Sequence, residues 1–84
     1  MSGVYDQAGS AQKLREITPS DTTLLDPPAD ALHISVAGNV KITDPSGYET
    51  IVPNVPAGIW PQTCIKVWST DTTATVTHIY YKHR

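Results

Sequence analysis

Apolar and polar side chains alternate over short stretches of this chain, and no stretch of ten or more residues keeps a helical period. The first clear alternation is Ala31-Leu32-His33-Ile34-Ser35-Val36, which puts Leu32, Ile34 and Val36 on an apolar face. Ala37-Gly38-Asn39 turns the chain, and Val40-Lys41-Ile42-Thr43 alternates again with Val40 and Ile42 inward. Asp44-Pro45-Ser46-Gly47 suits a type I turn, with Asp first, Pro second and Gly fourth. Tyr48 to Val52 is then the returning strand of a hairpin. Pro53, Pro56 and Pro61 each lack an N–H, so this stretch belongs at a sheet edge or a corner. Thr63 to Ser69 resumes as a strand, with Ile65 and Val67 on one face and Cys64, Lys66 and Trp68 on the other. After the polar turn Thr70-Asp71-Thr72-Thr73, the last strand runs from Ala74 to Tyr81 and is rich in β-branched and aromatic residues.

The N-terminal part carries less pattern. Residues 1–13 are small and polar, as a flexible arm would be, with Val4 and Tyr5 as its sizeable apolar groups. Residues 14–25 are a short extended segment: Thr18-Pro19-Ser20-Asp21 could cap a helix, but the β-branched Thr22-Thr23 that follow disfavour one. Asp26-Pro27-Pro28 is a stiff connector to the first clear strand. The expected fold is all-β: a small antiparallel β-sandwich or partly open barrel of five or six strands over residues 14–84, with an extended N-terminal arm.

Length sharpens this picture. A chain of 84 residues is one domain with a thin core, and such scaffolds usually add a disulfide, a metal or oligomerisation as a staple. Cys64 is the single cysteine, so a disulfide within the chain is excluded. One Cys and three scattered His lack zinc-finger spacing, so no metal or other cofactor is expected. Self-association remains as the staple. The net charge of −2 gives no electrostatic footprint for nucleic acid, and Lys82-His83-Arg84 reads as a solvated end. No apolar run approaches the roughly 20 residues that span a bilayer. Asp6, and basic residues that come only at Lys13 and Arg15, do not suit a signal peptide, so synthesis in the host cytoplasm without membrane insertion is expected.

The chemical residues favour structure over catalysis. Cys64 sits mid-strand as a small buried hydrophobe. Asp21, Asp26, Asp30, Asp44 and Asp71 all stand beside Pro, Ser, Thr or Ala in turns, where Asp bonds nearby backbone. His33 and His78 sit on strands and face each other across a sheet if those strands pair; the reading here is of polar strand-face histidines. Neither a phosphate loop nor a nucleophile elbow is present, and no catalytic residue is expected. Trp60, Trp68, Tyr80 and Tyr81 carry more information, because Trp and Tyr suit half-buried contact surfaces. Adjacent in a strand, Tyr80 and Tyr81 must point to opposite faces. With Val4 and Tyr5 they are the candidate interface residues; a sugar-binding platform is the competing use of the aromatics.

The order of motifs adds a resemblance. ITPSDTTLL, PPADALHISVAGNVKI, YETIVPNVPAGIWP and KVWSTDTTATVTHIYY follow one another over about residues 17–81. This series is similar to the head-spike base proteins of gene transfer agents and related tailed phages. The chain departs from that pattern at the bulky corner Ile59-Trp60-Pro61-Gln62 and at its Lys-His-Arg ending. The resemblance implies a non-enzymatic protein on the capsid surface of a virion, acting as head decoration (cement) subunit or head-spike base. It implies a homo-oligomer, trimer or pentamer, whose partners are the major capsid protein and a spike or fibre protein. A carbohydrate- or receptor-binding module and a tail or baseplate component are the alternatives.

Overall fold

In the computed structural model, residues 12–82 are described, and they form strands, turns and loops with no helix. Seven strands follow in order: β1 (Gln12–Glu16), β2 (Ala31–Val36), β3 (Gly38–Thr43), β4 (Glu49–Val55), β5 (Gly58–Trp60), β6 (Lys66–Val67) and β7 (Thr75–Lys82). They build a four-stranded sheet in the order β1-β7-β2-β5 and a three-stranded sheet in the order β4-β3-β6. Every pairing is antiparallel. Seven strands stand where five or six were expected, because the proline-rich corner holds β5 and residues 12–16 pair with β7. Gln12 and Lys13 belong to β1; the rest of the expected arm lies outside the described residues.

The two sheets close over one core. Leu32, Ile34, Val76 and Ile79 come from the four-stranded sheet, and Val40, Ile42, Val55 and Val67 from the other. Ala29, Cys64 and Ala74 fill the ends, and Ile17, Leu25, Val52, Trp60 and Tyr81 pack against this cluster from the rim. The architecture is therefore a small sandwich.

Three bulges set which side chains enter that core. On β7, His78 pairs with His33 and Val76 with Ile34, so Thr77 is an extra residue and Val76 and Ile79 both point inward. On β2, Ile34 pairs with Val76 and Val36 with Thr75, which inserts Ser35 and turns Val36 out to solvent. The expectation that Val36 faces inward is corrected by this bulge. On β4, Val55 pairs with Gly38 and Val52 with Val40, and Asn54 takes up the extra step at φ 58°. The Asn39 side-chain carbonyl accepts the Asn54 N–H at 3.2 Å.

The loops are tied by short polar residues. Asp44 accepts from the Ser46 N–H at 2.9 Å and the Tyr48 N–H at 3.1 Å, while the Gly47 N–H donates to the Asp44 carbonyl at 2.9 Å. This is the turn expected from the sequence. Asp21 does something else. It bonds across the fold, accepting from the Ser69 N–H at 3.0 Å, the Thr70 N–H at 2.9 Å and both hydroxyls. The Ser20 N–H donates to the Val67 carbonyl at 2.9 Å and the Leu25 N–H to the Ile65 carbonyl at 2.7 Å, so this segment covers the free edge of β6. The Asp26–Pro27 peptide bond is cis.

Candidate functional site

Each sheet turns one face to the core and one outward, and the outward faces hold most of the chemistry-bearing side chains. On the three-stranded sheet, Val40 and Ile42 point in, so Lys41 and Thr43 point out. Trp68 lies over this face and donates its indole N–H to the Thr43 hydroxyl at 2.9 Å, which satisfies that buried polar group. The Lys66 ammonium stands 3.8 Å and the Lys41 ammonium 4.1 Å from the ring centroid, a double cation–π contact. Ile51 and Glu49 lie opposite Lys41 and Thr43 and extend the face to the β4 edge.

On the four-stranded sheet, the outward face carries Tyr80 and His78 from β7 and His33 from β2. His33 and His78 face each other across the sheet as expected, with ring centroids 6.0 Å apart and planes at 81°. The Tyr80 hydroxyl is 3.3 Å from His33 Nδ1, and the Thr77 hydroxyl is 2.9 Å from His78 Nδ1. The second contact joins sequence neighbours, whose side chains would point to opposite faces in a regular strand; the bulge brings them to one. Glu16 and Leu14 of β1 stand opposite His78 and Tyr80, and Ile59 of β5 stands opposite His33. Leu14 and Ile59 are exposed, so apolar side chains flank this face at both edges.

The aromatic candidates separate accordingly. Trp60 and Tyr81 pack against the core from its rim. Trp68 and Tyr80 are half-buried on the two outward faces, and Tyr80 and Tyr81 do point to opposite sides. Val4 and Tyr5 lie outside the described residues. Large exposed apolar side chains that alternation did not single out are Leu14, Leu24, Tyr48, Ile51 and Ile59. Leu14, Ile51 and Ile59 share placement on an edge strand, a signal that needs the strand order.

Cys64 is fully buried, and burial pushes its thiol up to about 12, so it is a core residue and not a nucleophile at neutral pH. It shares the core with Val67 instead of alternating with it, because only Lys66–Val67 is strand there and Cys64 pairs singly with Ala29. Among the described residues, no three His, Cys, Asp or Glu side chains come together as a metal site. An open groove of about 360 Å³ runs between Arg15, Ile17, Leu24, Leu25 and Val67, with Arg15 donating to the Asp26 carbonyl at 2.5 Å across one end.

Comparison with known proteins gives a structural answer. No protein-family model matches the chain, and no curated protein does. A solved structure described as "Capsid of native GTA particle computed with C5 symmetry" contains a chain of the same fold, with a TM-score of 0.70. The two chains are 29% identical, and the match covers 81% of this chain and 80% of that one. Likeness over four-fifths of both chains, in sequence and in fold, supports a phage-like capsid protein, a structural component of a virion particle.

Proposed function

We propose that this chain is a capsid-surface subunit of a tailed phage or phage-like particle, working as a head-spike base or head decoration protein through self-association and docking on the capsid. The observation that carries this reading is the match to a chain of the gene-transfer-agent capsid over four-fifths of both. The order of motifs from Thr18 to Tyr81 points the same way. Of the two roles we favour the spike base, which on a five-fold vertex would itself be a ring of five. A cement subunit on a three-fold position would be a trimer. The glycan-platform alternative is less well supported: both lysines lie over the Trp68 ring, where a sugar would stack.

Purified particles and the isolated chain test this. The chain should co-sediment with particles in a density gradient, survive a high-salt wash and leave intact capsids when its gene is removed. Mass photometry of the isolated protein should report five chains. Absence from washed particles would refute the capsid-surface reading, and a trimer would move the role from spike base to cement.

A further inference from the structure

We propose that His33 and His78 form a cross-strand clamp for a divalent transition ion of the Zn²⁺, Cu²⁺ or Ni²⁺ class. The pair meets three physical requirements of such a site. The first is register. The two residues are direct partners on β2 and β7, so both rings rise from the same outward face. The second is reach. An ion bound through a ring nitrogen at about 2.1 Å lies roughly 3.2 Å from that ring's centre, so two rings sharing it stand about 5.2 Å apart in a tetrahedral site and at most about 6.5 Å apart when the two nitrogens are opposed. The observed 6.0 Å falls inside that limit.

The third requirement is orientation of each ring by a partner on its other nitrogen. His33 Nδ1 meets the Tyr80 hydroxyl and His78 Nδ1 meets the Thr77 hydroxyl. With Nδ1–H donating to the hydroxyl oxygen, each neutral ring keeps its Nε2 lone pair for a metal. Thr77 reaches His78 because it is the bulge residue, so an irregularity of the strand is what completes the clamp. Imidazole nitrogens suit Zn²⁺, Cu²⁺ and Ni²⁺ and are poor ligands for Ca²⁺ or Mg²⁺. Both histidines are half-buried, so the ion enters from solvent and water fills its remaining positions. Glu16 stands opposite His78 on the third strand. Tyr80 and Thr77 act here as positioning residues.

Titration of Zn²⁺ into the untagged full chain by calorimetry tests the clamp. One ion per chain should bind saturably, and His33→Ala and His78→Ala should each weaken binding by more than about ten-fold, a loss at least as large as removing a supporting contact causes. Melting in EDTA, where the ion plays no part, should show that both variants still fold. A readout on the unaltered chain guards against variants that do not. Substoichiometric Cu²⁺ should broaden the ring NMR signals of His33 and His78 before those of any other residue. Absence of saturable Zn²⁺ binding would overturn the proposal. So would undiminished binding by both variants, or Cu²⁺ broadening centred on another residue.

Discussion

Ile34 and Val36 are two residues apart on β2, yet Ile34 is 1% exposed and Val36 57%. Strict alternation makes them equivalent; the bulge at Ser35 makes them opposites. Truncation separates the two environments. Ile34→Ala should cost roughly 2–5 kcal/mol, from lost burial plus the cavity left behind. Val36→Ala should stay within about 0.5 kcal/mol, as surface changes do. Denaturant melts of the two variants measure this, and equal losses would place Val36 in a contact that the isolated fold does not provide. Gly38 is a second position where one atom decides. A Cβ there would stand 2.6 Å from the Ala74 backbone nitrogen and 2.9 Å from its Cα, neither of which can swing aside. Gly38→Ala should therefore destabilise by roughly 1–3 kcal/mol, as overpacking does, and a melt no lower than that of the unaltered chain would refute the close approach.

At the scale of elements, what the sequence made legible is what depends on near neighbours. The Val40–Ile42 alternation, the Asp44–Gly47 turn and the extended last strand all follow from adjacent residues. What it hid depends on pairing. Val76 and Ile79 are three apart and both buried, a spacing that no regular strand permits and that becomes readable only once β7 is laid against β2. The same holds for Val52 and Val55 on β4, joined through the left-handed Asn54. On the outward faces, the His33–His78 juxtaposition could be read from strand residues, whereas the exposed Leu14 and Ile59 could not, because neither β1 nor β5 shows a two-residue period long enough to mark its edge. Asp21 is the sharpest case: its partners, Ser69 and Thr70, stand far along the chain, so a local reading makes it an ordinary turn aspartate. The Thr70 hydroxyl, followed by the Thr70 N–H and the Ser69 contacts, holds its carboxyl down to about 2 from an ordinary 3.8. A depressed carboxylate stabilises the fold above its unfolded value, and the contribution fades as pH falls from about 4 through the folded value. Asp21→Asn should thus melt below the unaltered chain at pH 6, with the gap closing between about pH 4 and pH 2. A gap that persists undiminished at pH 2 would show that the charge of Asp21 is not what ties the Ser69–Thr70 loop.

At the scale of the whole molecule, the core is thin. Among the described residues, the largest fully buried side chains are Leu32, Ile34, Ile42 and Ile79, no aromatic is fully buried, and Leu14 and Ile59 remain exposed at opposite edges of one sheet. A domain with so little interior gains stability by covering surface with further copies of itself. The proposed ring of five constrains how. Cyclic closure beyond a dimer requires two different patches per subunit, meeting head to tail, whereas a two-fold contact uses one patch twice. Among the described residues, the β1 edge with Leu14 and the β5 edge with Ile59 are two such patches, and an open sheet edge accepts a neighbouring chain readily. The untouched chain should scatter light as an oligomer well above 9.1 kDa, and its melting temperature should rise with concentration. Leu14→Glu and Ile59→Glu should each be largely monomeric, because every contact in either pool contains one altered edge. Mixing the two should restore a single intact contact, between the unaltered β5 edge of one and the unaltered β1 edge of the other. The mixture should therefore advance to a heterodimer and stop there, since the second junction carries both glutamates. Sedimentation of each variant and of the equimolar mixture decides the matter. Recovery of dimer only on mixing is the signature of a head-to-tail contact through these edges; full-size rings from either variant alone would place the subunit contact elsewhere on the molecule.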